Sequence, residues 1–372
     1  MKEAEIKERV EELTDRSPRG RLRIFSDTTR FMEISAGDVI RAGGRHYYVY
    51  GEEKEGRFGL DDQPKFWVKR ARDLETGERK VLKLAFFETF TMNLGDVSVE
   101  CFRSPKKEAR VLEKTRGDPN FMRGVSTEDE EGNVVRVLDR INGTSIFKHV
   151  QSVRSGHEEY FHEDFPILFE AILASVRAIE RLHGEGEIHG DIRNDHLWMD
   201  RDSGDWRWID FDYTYEWAEN PFGVDLYGLG NILLFAAGLG FYDLRNLASC
   251  LPDDVPGNVC VEPEDFSLFF RHRVMNLKKL FPYVPESLNR VLLRFSHKVE
   301  VLYADVGEML AELEECRGDL GIGDEKSGAD VAGASNDGAG AREDPGSEEG
   351  PGPREDPESK EGPGPKEGPE TP

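Results

Sequence analysis

The chain has 372 residues, enough for two or three domains or for one large domain with appendages. It carries 74 Asp and Glu against 49 Lys and Arg, a net charge of −25. That balance argues against a general grip on nucleic acid or on an anionic membrane, because both need surplus cations. The four cysteines, Cys101, Cys250, Cys260 and Cys316, stand far apart with no CxxC pair, which excludes a disulfide framework and a cysteine zinc site and points to a reducing compartment.

The charged start, MKEAEIKERVEELTDRSPRG, lacks the apolar stretch of a secretory signal. The longest apolar run, NILLFAAGLG at 231–240, falls far short of the ~20 residues that cross a bilayer. A cytoplasmic protein with no membrane partner is expected. Ile6, Val10 and Leu13 predict an amphipathic helix within 1–16. It belongs to an N-terminal extension, 1–36, whose FSDTTRFMEI reads as a strand on the next domain or as a partner-binding arm. Strand-like runs follow: HYYVYGE, FWVKRARD, RKVLKLAFF and VVRVLDRI. Helical patterns then cover 165–183, 224–240, 285–297 and 304–316. This order predicts an α+β fold over 37–316, a β-rich lobe (37–138) joined through 139–145 to an α-helical lobe (146–316), with a ligand cleft between them. Residues 317–372 read as an acidic tail. From 321 onward there is no Phe, Trp, Tyr, Leu or Met, Gly and Pro supply 20 of 52 residues, and the local charge is −9. REDPGSEEGPGP at 342–353 is followed by REDPESKEGPGP at 354–365. Such a segment cannot bury enough apolar surface to offset its ordering entropy. It is expected to be disordered and dispensable for folding and nucleotide binding.

Several residues carry chemistry. In WVKRARDLETGERKVLKL (67–84) two alternating strands flank a Glu-Thr-Gly-Glu turn. Lys83 shares a face with Val81 and Ala85, and a lysine among small apolar neighbours calls for an anion. In SPKKEARVLEKTRGDPNF, Ser104 is a plausible N-cap with Pro105 in the first turn, and Glu108 lies on the face of Val111 and Leu112, a candidate partner for Lys83. In LHGEGEIHGDIRNDHLWMDRDSGDWRWIDFD (182–212), two short strands joined by a polar turn carry Asp191 before the first and Asp210 after the second. Two carboxylates at one mouth suit a base or orienting group and a metal ligand.

In this order the residues resemble the protein kinase-like superfamily. VLKL at 81–84 resembles the lysine motif of bacterial Ser/Thr protein kinases, Glu108 the helix glutamate, LDRINGTSI (138–146) the hinge, and VDLYGLGNIL (224–233) the buried helix with its leading aspartate. HGD at 189–191 resembles the catalytic loop of RIO kinases and aminoglycoside phosphotransferases, and DFD at 210–212 stands where D-F-G is expected. The resemblance covers about 37–316. It implies an ATP-dependent phosphotransferase, most nearly a protein Ser/Thr kinase, with a small-molecule hydroxyl kinase or an ATP-binding pseudokinase scaffold as alternatives. The implied ligands are ATP, a hydroxyl-bearing substrate, and magnesium or, alternatively, manganese. Lys83 would hold the α/β-phosphates and pair with Glu108; Asp191 would orient the hydroxyl or accept its proton, with Arg193 near the γ-phosphate; Asp210 would bind the metal. Asp139, Arg140 and Ile141 would receive adenine through their backbone, Gly56 and Gly59 would lie over the phosphates, and Val68 would line the pocket. Asp225 would brace the catalytic loop.

Four departures qualify the resemblance. Gly51, Gly56 and Gly59 do not form G-x-G-x-x-G, and LDDQPKF intervenes before Val68. His196 stands where the second metal-binding asparagine is expected, giving three readings: a metal ligand with manganese preference, a hydrogen-bond partner of Asp191 or of a phosphate, or loss of the second metal. Asp210 to Asp225 is short, with neither A-P-E nor the arginine that pairs with its glutamate. Gly190 replaces the arginine that would contact a phosphorylated activation loop, which agrees with the absence of such a loop.

Overall fold

The computed structural model describes residues 1–14, 22–57, 60–94, 97–244, 260–297 and 302–322. Gly59, Cys250 and the tail from 323 onward lie outside the described residues.

The N-terminal lobe is a seven-stranded sheet in the order β1-β2-β3-β4-β5-β9-β8. Its strands are β1 (Ile24–Phe25), β2 (Val39–Ala42), β3 (Arg45–Arg57), β4 (Leu60–Asp73), β5 (Arg79–Lys83), β8 (Gly124–Glu128) and β9 (Val134–Asp139). All neighbours pair antiparallel except β1 with β2. Alternation buries Ile40, Val49, Ala71, Leu82, Val135 and Val137 in one cluster. LDDQPKF does not interrupt β4; it is the first half of that strand, and Gly56 sits at a register shift opposite it. Helix α1 (Glu3–Thr14) packs Ile6 and Val10 against Val39 and Leu74. The extension is therefore built onto the sheet. FSDTTRFMEI is mostly not a strand: only its first residue pairs, in β1, and Thr28 anchors the turn by donating through N and Oγ1 to buried Asp129.

The run RKVLKLAFF ends as a strand at Lys83. After it comes a hairpin, β6 (Glu88–Leu94) and β7 (Val97–Arg103). Helix α2 (Pro105–Lys114) begins at Ser104, whose hydroxyl accepts from Lys107 N.

The C-terminal lobe contains α3 (Ile146–Gln151), α4 (His157–Glu163), α5 (Phe165–Gly184), α6 (Gly223–Ala237), α7 (Leu277–Leu280), α8 (Glu286–Leu293) and α9 (Val306–Asp319). Helix α6 is apolar on every side and buried almost throughout, as its sequence requires. Short strands β10 (Gly143–Ser145), β11 (Leu197–Asp200) and β12 (Trp206–Trp208) form one sheet. A last strand, β13 (Tyr213–Glu216), pairs with β7 and so ties the residues after DFD to the N-terminal hairpin. The final helix reaches Asp319 rather than 316, and Leu320 and Ile322 pack on the core. The folded part thus extends beyond the expected boundary. No helix among the described residues is long and apolar enough to cross a membrane. This is the two-lobed α+β arrangement expected from the order of elements.

Candidate active site

Strand β5 ends at Lys83, and antiparallel pairing sets it opposite Val68 on β4 and Arg136 on β9. Its ammonium is buried. It donates to Glu108 Oε1 at 2.7 Å, to Asp212 Oδ2 at 3.1 Å and to Asp210 Oδ1. Burial alone would lower the Lys83 pKa, but Asp210, Asp212 and Glu108 together hold it above its ordinary value. Glu108 is fully buried and accepts a second cation, Arg136, whose Nε is 2.9 Å from Oε2.

The chain reaches Asp191 through a tight loop. Gly190 has φ +85°, and a Cβ there would lie 2.0 Å from the Tyr213 carbonyl oxygen. Glycine is thus required by backbone contact, not merely permitted by the lack of an activation loop. Buried Asp225 braces the loop by accepting from His189 N and Gly190 N, both at 2.7 Å, and from His183 Nε2 at 2.9 Å. Buried Lys107, from α2, donates to the carbonyls of His189 and Phe211 at 2.7 Å each and so couples the two acidic loops. Burial pushes its ammonium down to about 8.

Asp210 adopts φ +65°, a left-handed conformation that costs energy outside glycine. Its Oδ2 accepts from Lys65 Nζ at 3.0 Å. Burial would raise its carboxyl, but the charges of Lys65, Lys83 and His196 keep it well below the usual carboxylate range. Asp191 behaves oppositely: burial raises its pKa, and the opposing charges of His196 and Arg193 do not cancel the shift. Two carboxyls of one cleft are thus driven apart, one kept ionised and one made a better proton acceptor.

His196 lies between them. Its Nδ1 is 2.8 Å from the Asp191 carbonyl oxygen and must donate to it. Its Nε2 faces Asp210 Oδ2 at 3.5 Å and Asp195 Oδ2 at 3.9 Å. Ligand atoms from Asp191, His196 and Asp210 all lie within 4.8 Å of one another, a donor set that suits a divalent cation of borderline hardness. The Arg193 guanidinium forks onto Asp195 at 3.0 and 2.6 Å and lies 4.0 Å from Asp191 Oδ1.

A cavity of about 640 Å³ joins these groups to the interlobe segment. Val68, Val81, Leu138, Ile141 and Ile209 give it apolar walls, and Asp139, Arg140, Lys83 and Asp210 line it as well. Val68, the interlobe triplet, Lys83, Asp210 and His196 are thus brought to one cavity, with Glu108 and Asp191 bonded to its lining. Gly56 lies in β3 without a phosphate-loop conformation, and Gly59 falls outside the described residues.

Lys65, Arg103, Lys107, Arg136 and Asp212 were not singled out by sequence reasoning. Arg103, on β7, reaches Asp212 Oδ2 at 2.8 Å, Glu88 Oε2 at 3.4 Å and the Tyr213 hydroxyl. The four cations stand in ordinary-looking strands or a helix. The only sequence signal was Asp212, a carboxylate where the resembling motif has glycine.

No protein-family model matches the chain. Over 207 residues it is 26% identical to death-associated protein kinase dapk-1 of Caenorhabditis elegans, a match covering 55% of this chain and 13% of that protein. Over 125 residues it is 24% identical to the probable serine/threonine-protein kinase fnkB of Dictyostelium discoideum, covering 32% of this chain and 22% of that one. The chain thus spans less than a quarter of either relative's length. The PknI kinase domain of Mycobacterium tuberculosis aligns at 14% identity with a TM-score of 0.43, covering 76% of this chain and 99% of that domain. Its curated relatives are kinases, and the chain is similar to the protein kinase-like superfamily, as its motif order implies.

Proposed function

We propose that this chain is an ATP-dependent phosphotransferase that transfers a γ-phosphoryl group to a hydroxyl, most nearly in the manner of a protein serine/threonine kinase. The observation that carries the reading is the position of Lys83. Its ammonium bonds Glu108 from α2 and Asp210 from the loop after β12 at once, so one cation joins both lobes beside a cavity with apolar walls. The apolar end suits a purine, with backbone groups of Asp139–Ile141 as its hydrogen-bonding edge. The Lys83 end suits the phosphates.

In the reaction, Asp191 accepts the proton of the acceptor hydroxyl. The acceptor oxygen forms a bond to the γ-phosphorus, the bond from that phosphorus to the β–γ bridging oxygen breaks, and ADP leaves. The raised pKa of Asp191 favours this role, and Lys83 neutralises charge on the departing diphosphate. Asp210 and the Nε2 of His196 would hold magnesium or manganese, which supplies further neutralisation of phosphate charge when bound.

The curated relatives, which are protein kinases, favour a protein acceptor. A small-molecule hydroxyl acceptor is the second reading, favoured by the short stretch from Asp210 to Asp225 and by its fixation in β13. The test is incubation with γ-labelled ATP and cell lysate, followed by separation into protein and metabolite fractions. Label in protein supports the first reading and label in metabolites the second. No transfer to either, with ATP still bound, would leave a pseudokinase scaffold.

A further inference from the structure

A second cavity, of about 770 Å³, adjoins the nucleotide cleft and shares Arg70 and Arg140 with it. Arg70 and Arg72 follow Val68 at two-residue steps on β4 and so lie on one face. Across the sheet, Tyr48 on β3 stands opposite Arg72, and Arg72 stands opposite Arg79 on β5. Tyr50 and the end of α1, at Leu13 and Thr14, complete the walls. Four guanidinium groups and two phenol rings thus converge on one groove.

The charges there are poorly compensated. Among the described residues, Arg72, Arg79 and Arg140 have no carboxylate within ion-pair distance, and the nearest to Arg70 is Glu53, 4.0 Å from Nε. Arg70 Nε is itself buried without a hydrogen-bond partner. Like charges directly opposite on neighbouring strands are destabilising, yet Arg72 and Arg79 hold that position in a chain with 74 acidic residues. A Cβ at Gly51 would lie 2.8 Å from the Arg70 guanidinium, so a side chain there would make this flexible arginine shift. An anion seated in the groove would relieve this repulsion.

We infer that the groove docks the chain's own acidic segment, residues 342–365. Two features of that repeat match two features of the groove. Its acid pairs, Glu343-Asp344, Glu348-Glu349 and Glu355-Asp356, match the arginines, and its regularly placed prolines match the tyrosine rings. The reach is sufficient. Arg342 follows Ile322 by about twenty residues, a contour of about 65 Å at ~3.3 Å per residue. That exceeds the ~50 Å breadth of a folded unit of this size. Tethering also raises the local concentration of the segment to the millimolar range, so weak exposed ion pairs are enough.

The test needs no turnover and does not depend on the phosphotransfer reading. Tyr50 is replaced by the photo-cross-linker p-benzoylphenylalanine in the full chain, and equal amounts of isotopically light and heavy protein are mixed and irradiated in low salt. Peptides from 342–365 should be joined to the strand bearing the probe, in light–light and heavy–heavy pairs. Arg72→Gln/Arg79→Gln should cut the yield about fivefold, as loss of two exposed ion pairs implies, while Arg72→Lys/Arg79→Lys keeps most of it. High salt should suppress it in the wild type, an arm that holds even if the glutamine variant fails to fold. Absence of tail peptides, yield indifferent to salt and to charge removal, or mixed light–heavy pairs alone would overturn the inference.

Discussion

Asp212 offers a direct test of how the site is held together. Its side chain is fully buried, with Lys83 Nζ at 3.1 Å and Arg103 Nη1 at 2.8 Å. Replacing it by alanine leaves Lys83 with Glu108 and Asp210, but leaves buried Arg103 with Glu88 at 3.4 Å, the Tyr213 hydroxyl and the faces of Trp67, Phe86 and Tyr213. Breaking a buried ion pair from one side costs about 3–5 kcal/mol, because the remaining charge is desolvated and uncompensated. Two observations set the expectation at the low end, about 3 kcal/mol: Arg103 retains partial partners, and Asp212 Oδ1 has no hydrogen-bond partner even in the wild type. The backbone is unaffected, since the Asp212 carbonyl still accepts from Ser104 N at 2.7 Å. Asp212→Asn keeps an acceptor and should cost about half as much. The assay is urea unfolding of Asp212→Ala, Arg103→Met and the double variant. Coupling of about 2 kcal/mol is expected, so the double variant is more stable than the sum of the single losses allows. An Asp212→Ala loss below about 0.5 kcal/mol, or strict additivity, would refute the reasoning.

Lys107 gives a pH signature. Its folded pKa of about 8 lies below the ~10.4 of an exposed lysine, so between those values the unfolded chain binds more protons and stability from this group rises with pH. The stability difference between wild type and Lys107→Met should move in favour of wild type across that window; a flat difference would contradict the burial argument. Asp191→Asn should lower turnover by about 10²–10⁴-fold with the melting midpoint retained, and turnover within tenfold of wild type would remove Asp191 as the proton acceptor. If Nε2 of His196 takes a metal, the wild type prefers manganese and His196→Asn shifts toward magnesium; identical metal profiles would leave His196 as only a hydrogen-bond partner of Asp191. Between Asp210 and Asp225 the hydroxyls are those of Tyr213, Thr214 and Tyr215, with both tyrosines buried. Phosphatase treatment should therefore leave turnover unchanged or raised, and a sharp fall would show an activating phosphate.

The order of motifs along the chain carried most of the site. Lys83, Glu108, Asp191, Asp210 and Asp225 each stand in a local context that marks a strand, helix or turn, and those contexts are short-range: a capped helix, alternating strands, a hairpin with an acid at each end. The apolar run at 224–240 likewise announced a buried helix, because a segment apolar on all sides has no other stable place. Composition sets an expectation for the acidic tail, which from residue 323 onward lies outside the described residues. What local pattern could not supply was the second set of charges. Arg103 lies 109 positions from Asp212 and Lys65 lies 145 from Asp210. In sequence each is an ordinary cation on a polar strand, and only packing of the lobes decides that it is buried against a carboxylate. The hairpin β6–β7 was missed because its alternation is weak and its partner strand, β13, arrives more than a hundred residues later. Gly190 shows the same division. The sequence records only a missing arginine, while the close approach of the Tyr213 carbonyl, a tertiary contact, explains why no side chain can stand there.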